Sequence, residues 1–250
     1  MAVSKQTVMA IKSYQNQAEN LVKNHLLSDP IIPYTSIIAG ILACKVIYNL
    51  TQLFSALYFK CYAGLNKVQR IEWNNRGIST VHALFIAAMS LYFVYWSDLY
   101  ADYQTNGYVT FRSSTLSTFT LGIIHHSLSG IAVAYAMFSG EGQLYTFMVL
   151  ISEVTTPEIN MRWFLDTAGL KRSHAYLING IVIFFAWLVA RILLFVYMFY
   201  HVYLHYEQVM QMHVFGFFLV FVVPSVLAAM NLMWFGKILR GLKKTLAKRQ

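Results

Sequence analysis

A chain of 250 residues that is 58% hydrophobic and only 12% charged is not a soluble domain, in which about a quarter of the residues carry charge. Its net charge of +9 gathers beside apolar runs, with no base-reading motif to go with it, which excludes nucleic-acid recognition as its business. The two cysteines, Cys44 and Cys61, lie in or beside the first apolar run, so neither a disulfide framework nor a zinc ribbon is available.

Residues 1–30 are polar and mildly amphipathic, with Lys5, Lys12 and Lys23 and no cleavable signal-peptide pattern. The first apolar run, 31–59, is therefore expected to act as the insertion signal. Lys45 interrupts it, and its sequon Asn49-Leu50-Thr51 is not expected to be glycosylated inside a span. The 60–76 segment reads as a cytoplasmic loop, with Lys60, Lys67, Arg70 and Arg76 against Glu72. A second span is predicted over 77–97. The 98–113 loop, with Asp98 and Asp102 against Arg112, reads as lumenal or external. A third span covers 114–138.

Residues 143–156 are apolar but short of the roughly 20 residues that a crossing needs, and Pro157 is expected to stop them, so a re-entrant segment is a natural reading. Spans follow over 176–200 and 211–235. Lys237, Arg240, Lys243, Lys244, Lys248 and Arg249 then form a basic tail, predicted to be cytoplasmic. Phe235, Ile238, Leu239, Leu242 and Leu246 share one side of that tail, which suggests a helix lying on the membrane surface. If every apolar run crossed, the tail would end outside. The positive-inside rule thus favours a non-crossing 143–156 segment, or else a missing span. The expected fold class is all-α, a polytopic transmembrane helical bundle of about five to six spans. It divides into a polar N-terminal segment (1–30), a transmembrane domain (31–235) and the tail (236–250).

Ionisable side chains inside apolar runs are costly and are candidates for function. His125 and His126 stand in "LGIIHHSLSGIAVAYAMF", about 100° apart on a helix, with His125 on a stripe of small residues that suits close helix packing. Imidazoles there suit either general acid–base work or hydrogen bonding between helices. Glu153 ends an apolar run and must pair or protonate. Arg162 and Asp166, spaced i,i+4, are expected to form a helix-surface ion pair, with a phosphate or carboxylate head group as the functional alternative for Arg162. Arg191, in the middle of a span, needs an inward-facing partner, Glu153 or a lipid head group. Asn179 on that span reads as helix–helix glue.

His201 and His205 have a metal-capable i,i+4 spacing, as in membrane di-iron oxidases. Those enzymes also need HxxHH boxes, which none of the eight histidines form; the metal expectation is none. Tyr197, Tyr200, Tyr203 and Tyr206 suggest an aromatic belt instead. No pair of Gly/Pro-broken half-helices suggests a transporter.

The stretches "NNRGISTVHALF", "HHSLSG", "GEGQLYTFMVLISEVTTPEINMRWFLDTAGLK" and "FAWLVARILLF" resemble the TLC domain family, which includes the ceramide synthases, over roughly residues 31–245. The resemblance implies an endoplasmic reticulum or related endomembrane location, a role in lipid homeostasis, membrane lipids as partners, and an open question of homo-oligomers. Ceramide synthases use a His pair in acyl transfer. The resemblance therefore implies His125 and His126 as general base or acyl carrier, Glu153 as orienting acid, Arg162 and Arg191 as head-group contacts, and acyl-CoA as co-substrate with no bound cofactor. In two respects the chain departs from the family. An aspartate-bearing crossing before the His pair is absent, with "SSTLSTFTLG" joined directly to the histidine segment. Ser127, Leu128 and Ser129 also follow the pair where the synthases have acidic residues. Hence a second reading stands beside acyl transfer: a non-catalytic lipid-binding or membrane-composition regulator on the same fold.

Overall fold

The structure is a computed structural model; it describes residues 32–95, 131–133, 135, 136, 139 and 141–247. All elements among the described residues are helical. They are α1 (Ile32–Tyr58), α2 (Lys60–Ala63), α3 (Lys67–Tyr95), α4 (Gln143–Ile151), a 3-10 turn (Ser152–Thr155), α5 (Thr156–Thr167), α6 (His174–Trp187), a π turn (Leu188–Leu193), α7 (Leu194–Leu204), α8 (Tyr206–Val209) and α9 (Val214–Ala247). Among the described residues, four stretches are long and apolar enough to cross a membrane: Ile38–Tyr58, Lys67–Tyr95, His174–Leu204 and Val214–Ala247. The chain is an all-α membrane protein.

Side-chain contacts fix the direction of each helix. Trp73 Nε1 donates to Ser55 Oγ at 2.9 Å, and Gly77 faces Thr51, so α1 and α3 run antiparallel. Trp73 meets Phe164, Asn160 meets Thr80, and Phe93 meets Phe147, so the segment 143–167 runs antiparallel along most of α3. Thr155 pairs with Arg191 and Tyr145 with His201, and Phe184 stacks on Phe235, which continues the alternation through α6–α7 and α9. One end of the bundle therefore gathers Lys60, Lys67, Arg70, Lys171, Arg172 and the last turns of α9. The other end holds Tyr95, Glu141, and the 205–213 connection with Glu207.

Three boundaries differ from the sequence expectation. The second span starts at Lys67, not 77, because Arg70 closes the preceding turn through bonds to the carbonyls of Leu65 (2.9 Å) and Ala63 (2.6 Å), and most of the 60–76 segment is helical. Pro157 does not stop the 143–156 segment. It occupies the first turn of α5, where its missing N–H costs no helical hydrogen bond, and the helical path continues to Thr167. At about 1.5 Å per residue this path reaches about 38 Å, long enough to cross a hydrocarbon core of about 30 Å. The re-entrant reading falls, since the segment follows α3 nearly from end to end. Finally, α9 passes residue 236 without a break, so the basic tail begins as a straight extension of the last span and does not turn onto a surface.

The polar residues of α5 are matched by α3. Asn160 Nδ2 donates to Thr80 Oγ1 (3.0 Å) and to the Arg76 carbonyl (3.3 Å), and its Oδ1 accepts from Arg76 Nη1 (3.1 Å). Arg76 also pairs with Glu72 at 2.9 Å and lies over the Trp163 ring. Tyr62, Leu65 and Trp73, with Trp163 and Phe164 against them, make a core at the basic end. The larger core joins Leu144, Met148, Phe195, Met198, Val220, Val223 and Leu227 from α4, α7 and α9.

Gly169 and Gly77 answer two different demands, a positive φ and a close helix approach. Gly169 (φ 76°) ends α5: Leu170 N donates to Leu165 O and Gly169 N to Asp166 O, a Schellman closure that favours glycine. Gly77 is needed for close approach, since a Cβ there would lie 2.5 Å from Thr51 Cγ2. Overpacking of this kind costs about 1–3 kcal/mol. Gly77→Ala should lower the thermal unfolding midpoint in detergent, and Thr51→Ala in the same chain should recover part of the loss, because the clash lies between these two side chains.

Candidate functional site

The most enclosed charge among the described residues is Arg191, 5% exposed and carried by the π turn between α6 and α7. A π turn widens the helix by one residue per turn and commonly marks a site where one side chain has to be re-aimed. Opposite it, the 3-10 turn Ser152–Thr155 tightens the path between α4 and α5. Two non-α turns thus face each other, with the guanidinium between them.

Each guanidinium nitrogen has a partner. Nε donates to Thr155 Oγ1 at 2.8 Å, Nη1 to Asn231 Oδ1 at 3.3 Å, and Nη2 lies 3.7 Å from Glu153 Oε1. Its plane sits 4.6 Å from the centre of the Trp187 ring, and Trp187 Nε1 donates to the Asn231 carbonyl at 3.1 Å. Thr155 passes its own hydroxyl proton to Ser152 O at 3.1 Å, and Glu153 Oε2 accepts from Thr156 Oγ1 at 2.7 Å. The centre ties together the 143–167 segment, the 174–204 helix and α9. Inward pairing of Arg191 with Glu153, expected from the sequence, is what the structure contains.

Arg162 is not part of this centre. Its Nη1 donates to Tyr176 O at 3.1 Å, and the guanidinium stacks 3.9 Å from the Tyr176 ring, against Gly180, where a Cβ would come within 2.8 Å of Nη1. The expected Arg162–Asp166 pair does not form. Instead Asp166 binds Lys171 at 2.6 Å, because the Gly169 closure folds residues 170–172 back under the end of α5. That hydrogen bond raises the pKa of Lys171. Asn179, expected to join helices, donates to the Glu158 carbonyl at 3.0 Å. His125 and His126, and the shortened segment before them, lie outside the described residues.

His201 and His205 stack, with ring centres 4.1 Å apart. His201 Nδ1 lies 3.4 Å from the Tyr145 hydroxyl, and His205 Nδ1 lies 2.9 Å from the His201 carbonyl. No group of three or more His, Cys, Asp or Glu among the described residues is placed to hold a metal ion.

The sequence reading missed two features. Asn231 was passed over in an apolar run, although a single amide there is itself a signal for an interhelical partner. Glu141 was not singled out either. Its carboxylate accepts from Tyr135 Oη at 2.6 Å and from the His213 backbone N–H at 3.1 and 3.2 Å, just before α9 begins. A Cβ at Gly216 would lie 2.6 Å from Glu141 Oε2. Above this carboxylate, Ala132, Val133, Tyr135 and Ala136, together with α4 and α9, line a shallow apolar cleft, open to its surroundings, walled by Tyr145, Val149, Leu219, Val220, Val223 and Pro224. No basic side chain among the described residues lines it. A second cleft of about 490 Å³ lies between Ile86, Ser90, Phe93, Val133, Gln143 and Phe147.

Removing one member of a buried ion pair typically costs about 3–5 kcal/mol, and Glu153, whose side chain keeps 24% of its surface exposed, puts this pair near the lower figure. Glu153→Ala should therefore destabilise the protein by about 3 kcal/mol. Glu153→Ala with Arg191→Leu should be less destabilised than the sum of the two single changes, as read by thermal unfolding in detergent.

Comparison with known proteins agrees with this architecture. The TLC domain matches residues 105–240, more than half of the chain. TLC domain-containing protein 4-B of Xenopus laevis is 29% identical over 209 residues, covering 74% of this chain and 79% of that protein. TLC domain-containing protein 4 of Homo sapiens is 28% identical over 224 residues, covering 80% and 85%. A Dictyostelium discoideum relative, TLC domain-containing protein 4 A, is 25% identical over 154 residues, covering 51% and 58%. No solved structure matches the chain. With long apolar helices, an arginine buried at their centre and this match, the chain belongs to the TLC domain family of membrane proteins.

Proposed function

We propose that the protein handles a membrane lipid, holding an acyl chain in the cleft between Ala132, Val133, Tyr135 and Ala136 on one side and α4 and α9 on the other. One observation carries this reading: the cleft walls are aliphatic and aromatic, while one end presents the Glu141 carboxylate and the Tyr135 phenol. An apolar slot with a few convergent polar groups is the usual form of a site for a lipid-sized ligand. The buried Arg191 centre supports a scaffold role in this scheme. Each of its nitrogens already has a protein partner, and Glu153 is committed to Arg191 and Thr156, so neither needs a substrate to balance it.

Non-catalytic binding is therefore the reading adopted. Acyl transfer from acyl-CoA would rest on His125 and His126, with Arg162, Arg191 and Glu153 as supporting groups. The two readings separate in one experiment. Mass spectrometry of the protein purified in mild detergent should find a co-purifying lipid, and Val220→Trp, which fills the cleft, should reduce it several-fold while the protein stays folded. Supplied acyl-CoA should give no new acylated lipid. A product that disappears in His125→Ala/His126→Ala would establish the enzyme reading instead, and absence of any retained lipid would remove the binding one.

We propose an endoplasmic reticulum or related endomembrane location, in line with the family resemblance, with the basic end in the cytoplasm. The orientation is supported by Lys60, Lys67, Arg70, Lys171, Arg172, Lys237, Arg240, Lys243 and Lys244 sharing one end, while Glu141 and Glu207 lie at the other. A glycosylation sequon in a flexible insert within the 205–213 connection should be modified in cells. The same insert at 168–173 should stay unmodified, as read by a glycosidase-sensitive gel shift.

A further inference from the structure

Lys45, Asn49 and Gln52 sit at i, i+4 and i+7 of α1, within about 60° of one another on one face, and all three are exposed. Thr51 and Ser55, which face α3 through Gly77 and Trp73, point to another side of the helix. The polar trio thus lies away from the bundle. Above and below it the same face is apolar and exposed, with Ile38, Ile41 and Leu42 on one flank. Within the crossing stretch Ile38–Tyr58, Lys45 stands seven residues from the start and thirteen from the end, about 10 and 20 Å at 1.5 Å per residue, and Asn49 and Gln52 stand deeper from the start. Its ammonium lies 5.6 Å from the centre of the Tyr48 ring. No carboxylate among the described residues pairs with it.

An ammonium and two amides facing hydrocarbon at this depth are unfavourable, and polar side chains inside a membrane normally meet one another across a helix interface. The lysine stem gives some reach towards the head groups, but the amides of Asn49 and Gln52 are too short for that. A symmetric second copy packed on this face would set Lys45 against Lys45, a like-charge contact. Charge complementarity selects a different occupant. We propose that this face of α1 docks a membrane-spanning helix of another protein, one with an Asp or Glu at mid-depth opposite Lys45 and polar groups to meet Asn49 and Gln52. The apolar residues around the trio supply the packing, and the carboxylate supplies the specificity.

The full-length protein, reconstituted in phosphatidylcholine vesicles, tests this with three Leu-rich transmembrane peptides: one with a central Asp, one with a central Lys, one with neither. Energy transfer from labelled peptide to labelled protein reads association. The Asp peptide should bind about tenfold tighter than the plain one. Lys45→Leu should remove that preference, and Lys45→Glu should transfer it to the Lys peptide. Because position 45 is exposed, these variants should keep the parent's unfolding midpoint, and the reversal is a gain that misfolding cannot produce. Equal binding of all three peptides would overturn the proposal. So would a photo-crosslinker at position 49 that captures a second copy of this chain, or lipid alone, when the Asp peptide is present.

Discussion

The bundle is organised around one requirement: a guanidinium placed deep among apolar helices has to be satisfied from several directions at once. Arginine stays charged under all ordinary conditions, so it cannot escape the cost of burial by giving up its proton. Its fork geometry then dictates where neighbours must stand. Thr155 and Glu153 come from the 3-10 turn, Asn231 from α9 and Trp187 from α6, and they fit only if the π turn and the 3-10 turn occur at the same depth. Both local departures from α geometry, in otherwise regular helices, are explained by that one side chain.

A second constraint follows from the polar half of α5. Thr156–Thr167 reads as too hydrophilic to continue a span, yet it lies alongside α3, where Asn160 and the Trp163 ring find counterparts in Arg76 and Thr80. Asn160 is bonded at both ends of its amide by α3, and Arg76 is shared among Glu72, Asn160 and the face of Trp163. The tryptophan–phenylalanine core at the basic end completes the contact. Local hydropathy therefore understates the crossing. The polarity is answered within the protein, so little of it faces the membrane.

Much of this was legible in the sequence. Apolar run length located the first, second and last spans, and the rule that an intramembrane charge needs a partner pointed from Arg191 to Glu153. Other features were hidden for physical reasons. Pro157 looks like a stop because proline breaks helix interiors, but its effect depends on whether the preceding turn has already changed geometry, as the 3-10 turn does here. Spacing alone put Asp166 with Arg162. The Gly169 closure overrode it by bringing Lys171 nearer, while Arg162 leaned back onto Tyr176 as helical side chains do. Glu141 sits in a short connection where an acid is unremarkable, and only the folded chain brings the distant His213 N–H to the carboxylate that Tyr135 also meets.

The buried arginine centre and the open cleft divide the work between them. Arg191 is held so completely that it contributes rigidity and leaves little capacity for recognition. The cleft beside α4 and α9 is the reverse: it is apolar, open, and carries one carboxylate at its rim. Glu141 also holds the backbone just before α9, the helix that supplies Asn231 to the arginine centre about two turns beyond Pro224 of the cleft wall. A ligand that drew the Glu141 carboxylate towards itself would therefore act on a helix already pinned at Asn231. Such a helix responds by pivoting about the pinned point, because the arginine centre resists sliding. For a lipid-handling protein this makes the rim of the cleft, and not the buried charge, the place where occupancy can be felt by the rest of the bundle.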